Sequence, residues 1–244
     1  MFKKRLLLFL VLISIVLNFI GCIQPDSNTK IKETSMKYLK DKYKEDFEFK
    51  DVDASWNEGN DWVYSVHAIS KSNPTFTVWV KSGRELSKIS DNYKEQKWDA
   101  VREEQMKDLI ETKFGITANF RVRFHANKEI EDKYPLYTDP VDIIKKEANF
   151  KKGSLDGNYQ SISENVIVNI PIDENINEDE VAEKLLDLVK YYNDLNLYFD
   201  MKLTFGKREI NSDGTFKDTL AEVVVYSNTI LEKNNIKKRI KYNK

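Results

Sequence analysis

The stretch at residues 116–125, ITANFRVRFH, decides the fold class because its side chains alternate between apolar and polar along its length. This period-two alternation is typical of a β-strand that buries one face and leaves the other in water. The apolar positions are Ile116, Ala118, Phe120, Val122 and Phe124. We therefore predict an antiparallel sheet with helices packed against one face.

The polar side of the same strand provides a candidate binding site. It carries Arg121, Arg123 and His125, which can bind an anion such as a phosphate or carboxylate through charge-assisted hydrogen bonds. A solvated sheet face is the simpler interpretation of the same pattern. We keep these three residues as candidate ligand-binding residues.

Elements of the same kinds extend on both sides of this strand. A preceding helix from Ser90 or Asp91 to about Phe114 ends at Gly115, a residue common at helix C-termini. Further on, Asn177 with Glu180 resembles a capping box that begins another helix. The other predicted helices cover residues 31–45 and 139–148, and the other strands cover residues 47–55, 61–69, 75–81, 165–172, 197–205 and 220–226, with a hairpin turn at Asp213-Gly214.

This order of elements predicts an α+β fold of mainly antiparallel sheets with helices packed on them. It divides into two small α+β halves, residues 31–115 and 116–230, followed by a basic tail at 231–244. Whether the halves form one domain or two stays open. The tail, with its segment KKRIKYNK, is expected to be solvated, or to lie on anionic lipid or a wall polymer.

Aromatic residues offer a second candidate surface. On the strand at 75–81, Trp79 lies on the face opposite Phe76, Val78 and Val80. Exposed aromatic side chains can bind sugars or peptides, although large aromatic residues more often serve a core. Both interpretations remain open at this point.

Catalytic and metal-site patterns are absent from the sequence. The two histidines, His67 and His125, cannot form a three-histidine zinc site, and there is no His-Glu-x-x-His, phosphate loop or nucleophile elbow. His67 lies on the same strand as Ser65. A structural or exposed role for His67 is a simpler interpretation than catalysis. We therefore predict no catalytic residue, no metal site and no cofactor.

The N-terminal segment carries an export pattern. Lys3, Lys4 and Arg5 precede an apolar run at residues 6–17, which is shorter than the roughly 20 residues that span a bilayer. A basic start followed by a short apolar run is typical of a signal peptide, here residues 1–21. An uncleaved membrane anchor is the alternative.

The end of that segment, Phe19-Ile20-Gly21-Cys22, resembles the lipobox of bacterial lipoprotein precursors. The resemblance implies a diacylglycerol on the sulfur of Cys22, further acylation by a fatty acid such as palmitate, and a cell-membrane anchor on the extracytoplasmic side. Several acyl chains hold a protein on a membrane better than one chain does. Residues 22–30 would then form a lipidated tether, and no other thiol remains in the chain.

The first half also resembles PepSY-like modules and small lipoproteins of low-GC Gram-positive bacteria. The resemblance is carried by Tyr38-Leu39, Asp46-Phe47, Asp91-Asn92-Tyr93 and Trp98. None of these residues is a functional motif, so the resemblance implies architecture more than activity.

Composition limits the possible partners. Removal of residues 1–21, which contain three basic and no acidic residues, changes the formal net charge from −1 to −4. This mildly acidic balance gives no electrostatic support for nucleic-acid binding. The sequence therefore predicts a membrane-tethered binding or modulating module with an envelope protein or wall polymer as partner. The alternatives are an envelope hydrolase that uses a carboxylate pair and a small-ligand receptor.

Overall fold

The computed structural model describes residues 28–56, 62–74, 77–83, 88–115, 118–149, 161–172, 176–207, 209, 211, 215–227 and 232–243. The fold is α+β, as predicted, with two sheets and with helices that range from about one and a half turns to about six turns in length. The predicted signal peptide, Cys22 and the turn at Asp213-Gly214 lie outside the described residues. No helix in the described ranges is both long and apolar enough to cross a membrane.

The first compact unit ends at Asn92. It contains a four-stranded sheet in the order β1-β2-β3-β4, in which all neighbouring strands are antiparallel. Its elements are α1 (Asn28–Tyr43), β1 (Phe47–Trp56), β2 (Trp62–Ser70), β3 (Thr77–Gly83) and β4 (Ser90–Asp91). Helix α1 begins three residues before the predicted start, within the segment expected to be a tether.

One face of this sheet forms the core of the unit. Alternate residues of β2 and β3 are buried there, and α1 contributes its own apolar stripe. The buried apolar side chains are Ile31, Leu39, Phe47, Tyr64, Val66, Ala68, Val78 and Val80. The period-two pattern of the sequence therefore identifies the apolar face of β3 correctly.

The predicted helix cap at Ser90 or Asp91 is replaced by a different arrangement. Both residues lie in β4, and the next helix begins at Tyr93. The buried Asp91 carboxylate accepts hydrogen bonds from Tyr38 Oη at 2.8 Å, Lys42 Nζ at 2.7 Å and Tyr43 Oη at 2.6 Å. Burial alone would raise the pKa of Asp91, but these bonds, led by that from Lys42, hold it below its ordinary value.

The second compact unit begins at Tyr93 and contains a five-stranded sheet in the order β5-β6-β7-β8-β9. Neighbouring strands are antiparallel except β6 and β7, which are parallel and are joined through α5. The elements are α2 (Tyr93–Phe114), β5 (Asn119–Ala126), α3 (Lys128–Lys133), α4 (Pro140–Glu147), β6 (Ile162–Pro171), α5 (Glu178–Asp194), β7 (Tyr198–Gly206), β8 (Thr219–Tyr226), α6 (Lys233–Lys237) and β9 (Lys241–Tyr242).

The division between the units lies between Asn92 and Tyr93, whereas the sequence pattern predicts a boundary near residue 115. The reason is that α2 contributes to the core of the second unit. Trp98 packs edge-on against Phe124 of β5, with ring centroids 5.7 Å apart. Gly115 ends the helix with a φ of 91°, a conformation that glycine adopts without a steric penalty.

Two predicted helix starts are confirmed. Asp139 accepts a hydrogen bond from the Val141 backbone N–H at 2.8 Å, and Pro140 occupies the first turn of α4. Asn177 accepts from the Glu180 N–H at 3.3 Å at the start of α5. Side-chain caps of this kind satisfy backbone donors that the first helical turn leaves without partners.

Most of the predicted basic tail is part of the second unit. Its described residues form α6 and β9, and β9 pairs with β8. Ile236 is fully buried and Ile240 is 9% exposed, and both belong to the core cluster. These two apolar residues, four positions apart in a basic segment, explain why the segment folds against the unit.

Candidate functional site

The first sheet has a second face, opposite the one buried with α1, which we call the outer face. Its side chains on β1, β2 and β3 are half-buried or exposed. Its central polar and aromatic side chains are Asp51, Asp53, Ser65, His67, Trp79 and Lys81, and Glu48, Ser55 and Thr77 lie on the same face towards the strand ends. The outer face therefore combines acidic, basic, imidazole and indole groups on one surface.

A β-bulge sets this arrangement. Phe49 and Asp51 flank a shift in the register between β1 and β2, so Lys50 is an extra residue in the strand. One extra residue moves the following side chains to the opposite faces of a sheet. Val52 consequently continues the buried side opposite Val66, and the aspartates at 51 and 53 lie on the outer face.

Strand register then brings the polar groups together in two rows. In one row Asp51, His67 and Trp79 are direct neighbours across β1, β2 and β3. In the next row Asp53, Ser65 and Lys81 are neighbours. Directly opposite side chains on neighbouring strands lie within about 5.5 Å of each other at Cβ.

His67 is the centre of the cluster. Its Nδ1 lies 2.6 Å from Asp51 Oδ1 and 3.9 Å from Asp53 Oδ2. Its other ring nitrogen, Nε2, lies 3.4 Å from Ser65 Oγ. Within the described ranges no lysine or arginine makes an ion pair with either aspartate, and the imidazole nitrogen lies within 4 Å of a carboxylate oxygen of each.

The aromatic part of the outer face is formed by Trp79. Its side chain is half-buried, and Lys81 Nζ lies 4.5 Å from the ring centroid in a cation–π contact. The sequence placed Trp79 on the face opposite Val78 and Val80, and the burial pattern confirms this. Phe76, which completes the predicted pattern, lies outside the described residues.

The predicted anion-binding residues lie in the second unit. Arg121, Arg123 and His125 are exposed on one face of β5, which is an edge strand of its sheet. Residues two apart on a strand lie about 6.6 Å apart, so the three side chains form a row along the strand. Partial desolvation by the surrounding protein and the charge of Arg123 both lower the pKa of His125, which favours the neutral imidazole.

Two carboxylates of α2, for which the sequence carries no distinguishing signal, lie against the edge of β5. Asp99 Oδ1 accepts a hydrogen bond from the Phe124 N–H at 2.6 Å, and Glu103 Oε1 accepts from the Val122 N–H at 3.2 Å. Burial raises the pKa of Asp99 to about 7 and also raises that of Glu103. These bonds satisfy backbone donors of an edge strand, so they have a structural role.

The second unit also buries an ion pair, which gave no recognisable signal in the sequence. Arg102 donates from Nε and Nη2 to the Glu164 carboxylate, the second bond measuring 3.1 Å. Tyr192 Oη donates to Glu164 Oε2 at 2.7 Å, and Gln105 Oε1 accepts from Arg102 Nη1 at 3.0 Å. The partners come from α2, β6 and α5, so the network links three elements of the core.

Comparisons with known proteins add little to this geometry. No protein-family model matches the sequence, and no match is found among well-characterised proteins. Among solved structures, the chain is similar to a DUF5037 family protein from Ruminococcus gnavus ATCC 29149, whose crystal structure was determined at 2.55 Å resolution. The likeness covers 72% of this chain and 75% of that chain, with 16% sequence identity and a TM-score of 0.43. A likeness of this size carries no argument about function.

Proposed function

We propose that the protein is a membrane-tethered extracytoplasmic lipoprotein that binds a component of the cell envelope through the outer face of its first sheet. The observation that carries the binding role is the composition of that face. An indole with a lysine above it lies beside a carboxylate–imidazole cluster, and the strand register places both on one face. Aromatic groups with adjacent polar groups are common in binding surfaces for peptides and sugars.

The membrane attachment rests on the sequence alone. The basic start, the short apolar run and the lipobox-like Ile20-Gly21-Cys22 support a diacylglycerol on the Cys22 sulfur. Burial of several acyl chains in a bilayer contributes about 0.8 kcal/mol per methylene group, which is sufficient for stable attachment.

Replacement of the lipidated sulfur tests the attachment. Cells that produce the parent chain or Cys22→Ala are given a radiolabelled fatty acid, and the protein is then followed in membrane and soluble fractions. We expect Cys22→Ala to lose both the label and its place in the membrane fraction. Cys22→Ser also lacks the sulfur, so we expect the same result. Equal labelling of the parent and Cys22→Ala would contradict the proposal.

A matched pair of tryptophan substitutions tests the binding role. Trp79 lies on the outer face, whereas Trp56, which is 56% exposed, lies on the opposite side of the same sheet. After crosslinking in cells, we expect Trp79→Ala to reduce the yield of crosslinked envelope components and Trp56→Ala to leave it unchanged. Equal yields from the parent and Trp79→Ala would show that the outer face is not the binding surface.

A further inference from the structure

We infer that the outer face of the first sheet binds a divalent transition-metal ion of the Zn²⁺ type through His67, Asp51 and Asp53. The imidazole comes from β2, and the two carboxylates come from neighbouring positions on β1. This inference goes beyond the proposed function, because it requires neither the lipid on Cys22 nor an envelope partner.

The positions of the donor atoms fit three ligands of one ion. The ligand atoms of the three side chains all lie within 4.8 Å of one another. In a tetrahedral Zn²⁺ site with bonds of about 2.0–2.2 Å, ligand atoms lie roughly 3.3 Å apart. The distances from His67 Nδ1 to Asp51 Oδ1, 2.6 Å, and to Asp53 Oδ2, 3.9 Å, lie on either side of this value. Both aspartates are exposed, so small side-chain rotations can bring all three atoms to the ion.

The two carboxylates of the cluster differ in their ion-pair partners from other exposed carboxylates in the same unit. Asp41 and Asp46 each form an ion pair with a lysine. Asp51 and Asp53, in contrast, share one imidazole and have no lysine or arginine ion pair in the described ranges. Two carboxylates and one imidazole are ligand types that Zn²⁺ prefers in proteins.

The second nitrogen of His67 provides support that is independent of the carboxylates. A metal-bound imidazole usually donates its other N–H group to a neighbouring acceptor, which fixes the tautomer and the ring orientation. With the metal on Nδ1, the proton is on Nε2, where Ser65 Oγ lies 3.4 Å away. Three protein ligands also leave a fourth coordination position for water or a ligand group.

The same atoms allow a different interpretation, in which Ser65 is a nucleophile, His67 a base and Asp51 the group that orients the base. Such a serine also needs hydrogen-bond donors for the developing oxyanion. However, β2 pairs with strands on both sides at this position, so its backbone donors are used within the sheet. A triad also leaves Asp53 without a role, whereas metal binding uses all three side chains near Nδ1.

Calorimetric titration of Zn²⁺ into the full-length, tag-free protein in detergent tests the inference. We expect one ion per chain, with at least tenfold weaker binding in His67→Asn, Asp51→Asn and Asp53→Asn. His125→Asn, which removes the other histidine, is the matched control and should bind as the parent does. Co²⁺ in place of Zn²⁺ should give a visible absorption band in the parent and in His125→Asn only.

Several results would overturn the inference. They are parent binding weaker than about 1 mM, equal affinity in the parent and His67→Asn, or an equal loss in His125→Asn. Labelling of Ser65 by a fluorophosphonate in metal-free protein, lost in His67→Asn, would establish the nucleophile instead. Because all the substituted side chains lie on the outer face or an exposed strand face, we expect unchanged circular dichroism, which separates lost binding from lost folding.

Discussion

Two groups of charged side chains, one in each unit, have different surroundings. In the second unit the buried Arg102 and Glu164 are bonded to each other and to further partners from the core. In the first unit Asp51 and Asp53 lie on an exposed strand and share a single imidazole. A buried charge needs partners that compensate for its desolvation. Exposed carboxylates need no such compensation, so their oxygens can still bind a ligand. The difference therefore separates charges that stabilise the fold from charges that can bind a ligand.

The largest expected effect is the loss of one member of the buried ion pair. Glu164→Gln leaves the Arg102 guanidinium buried without a counter-charge, so we expect the free energy of unfolding to fall by about 3–5 kcal/mol. Urea titration followed by circular dichroism measures this change. The double variant Arg102→Met with Glu164→Leu should recover most of the loss, because both charges are then gone. A single variant as stable as the parent would show that the pair has no structural role.

The next effect depends on pH. The pKa of Asp99 is raised from 3.8 to about 7 in the folded chain, mainly by burial. Between these values the folded chain retains a proton that the unfolded chain has lost, so stability falls as the pH rises from about 4 to about 7, by at most ~4 kcal/mol. Asp99→Asn cannot titrate and still offers an acceptor to the Phe124 N–H.

We therefore expect the stability of Asp99→Asn, relative to the parent, to increase between pH 4 and pH 8, as measured by urea titration at each pH. Asp108→Asn, at an exposed position of the same helix, is the control and should show no such trend. Parallel pH profiles for the parent and Asp99→Asn would contradict the role of burial at this site.

A smaller loss should follow removal of a single hydrogen bond to the ion pair. Tyr192→Phe deletes the donor to Glu164 Oε2 but keeps the ring, which stacks on Phe199 with centroids 4.7 Å apart. Hydrogen bonds to charged groups contribute about 1.5–3 kcal/mol, so we expect a loss in that range in a urea titration. Tyr191→Phe, whose hydroxyl lies 3.5 Å from Arg102 Nη2, is the matched control and should cost less. Equal losses of stability in the two variants would show that the bond from Tyr192 to Glu164 contributes no more than the contact of Tyr191 with Arg102.

The smallest stability effect should occur in the first unit. Asp51→Asn removes an exposed charge that makes no contact with the core, so we expect the free energy of unfolding to change by less than about 0.5 kcal/mol. The same urea titration measures it. A loss comparable to that of Glu164→Gln would mean that the cluster on the outer face is structural, and the contrast between the units would fail.

Much of the fold could be predicted from the sequence because local patterns determine it. The alternation on β2 and β3, the caps at Asp139 and Asn177 and the stop at Gly115 are all local signals. Helix α3 has only six residues, too few for a recognisable period, and it was missed. The unit boundary depends on which core Trp98 joins, and this is a long-range contact that no local pattern shows.

The candidate sites were less predictable for the same reason. Residues of one strand, such as Arg121 and Arg123, could be placed on a common face from the sequence. The cluster around His67 needs the register of two strands and the bulge at Lys50. One local signal existed, because the apolar alternation of FEFKDVDAS changes phase between Phe49 and Val52. Such a phase change indicates a bulge and moves the two aspartates to the face of His67.

The contrast between the units is tested most directly by the anomalous X-ray scattering of crystals soaked in Zn²⁺. Our account predicts a peak on the outer face of the first sheet, within bonding distance of His67 Nδ1 and of oxygens from Asp51 and Asp53. It predicts no peak at Asp99, Glu103 or the buried ion pair, whose bonds are already made. Peaks only in the second unit, or none beside His67, would contradict the account.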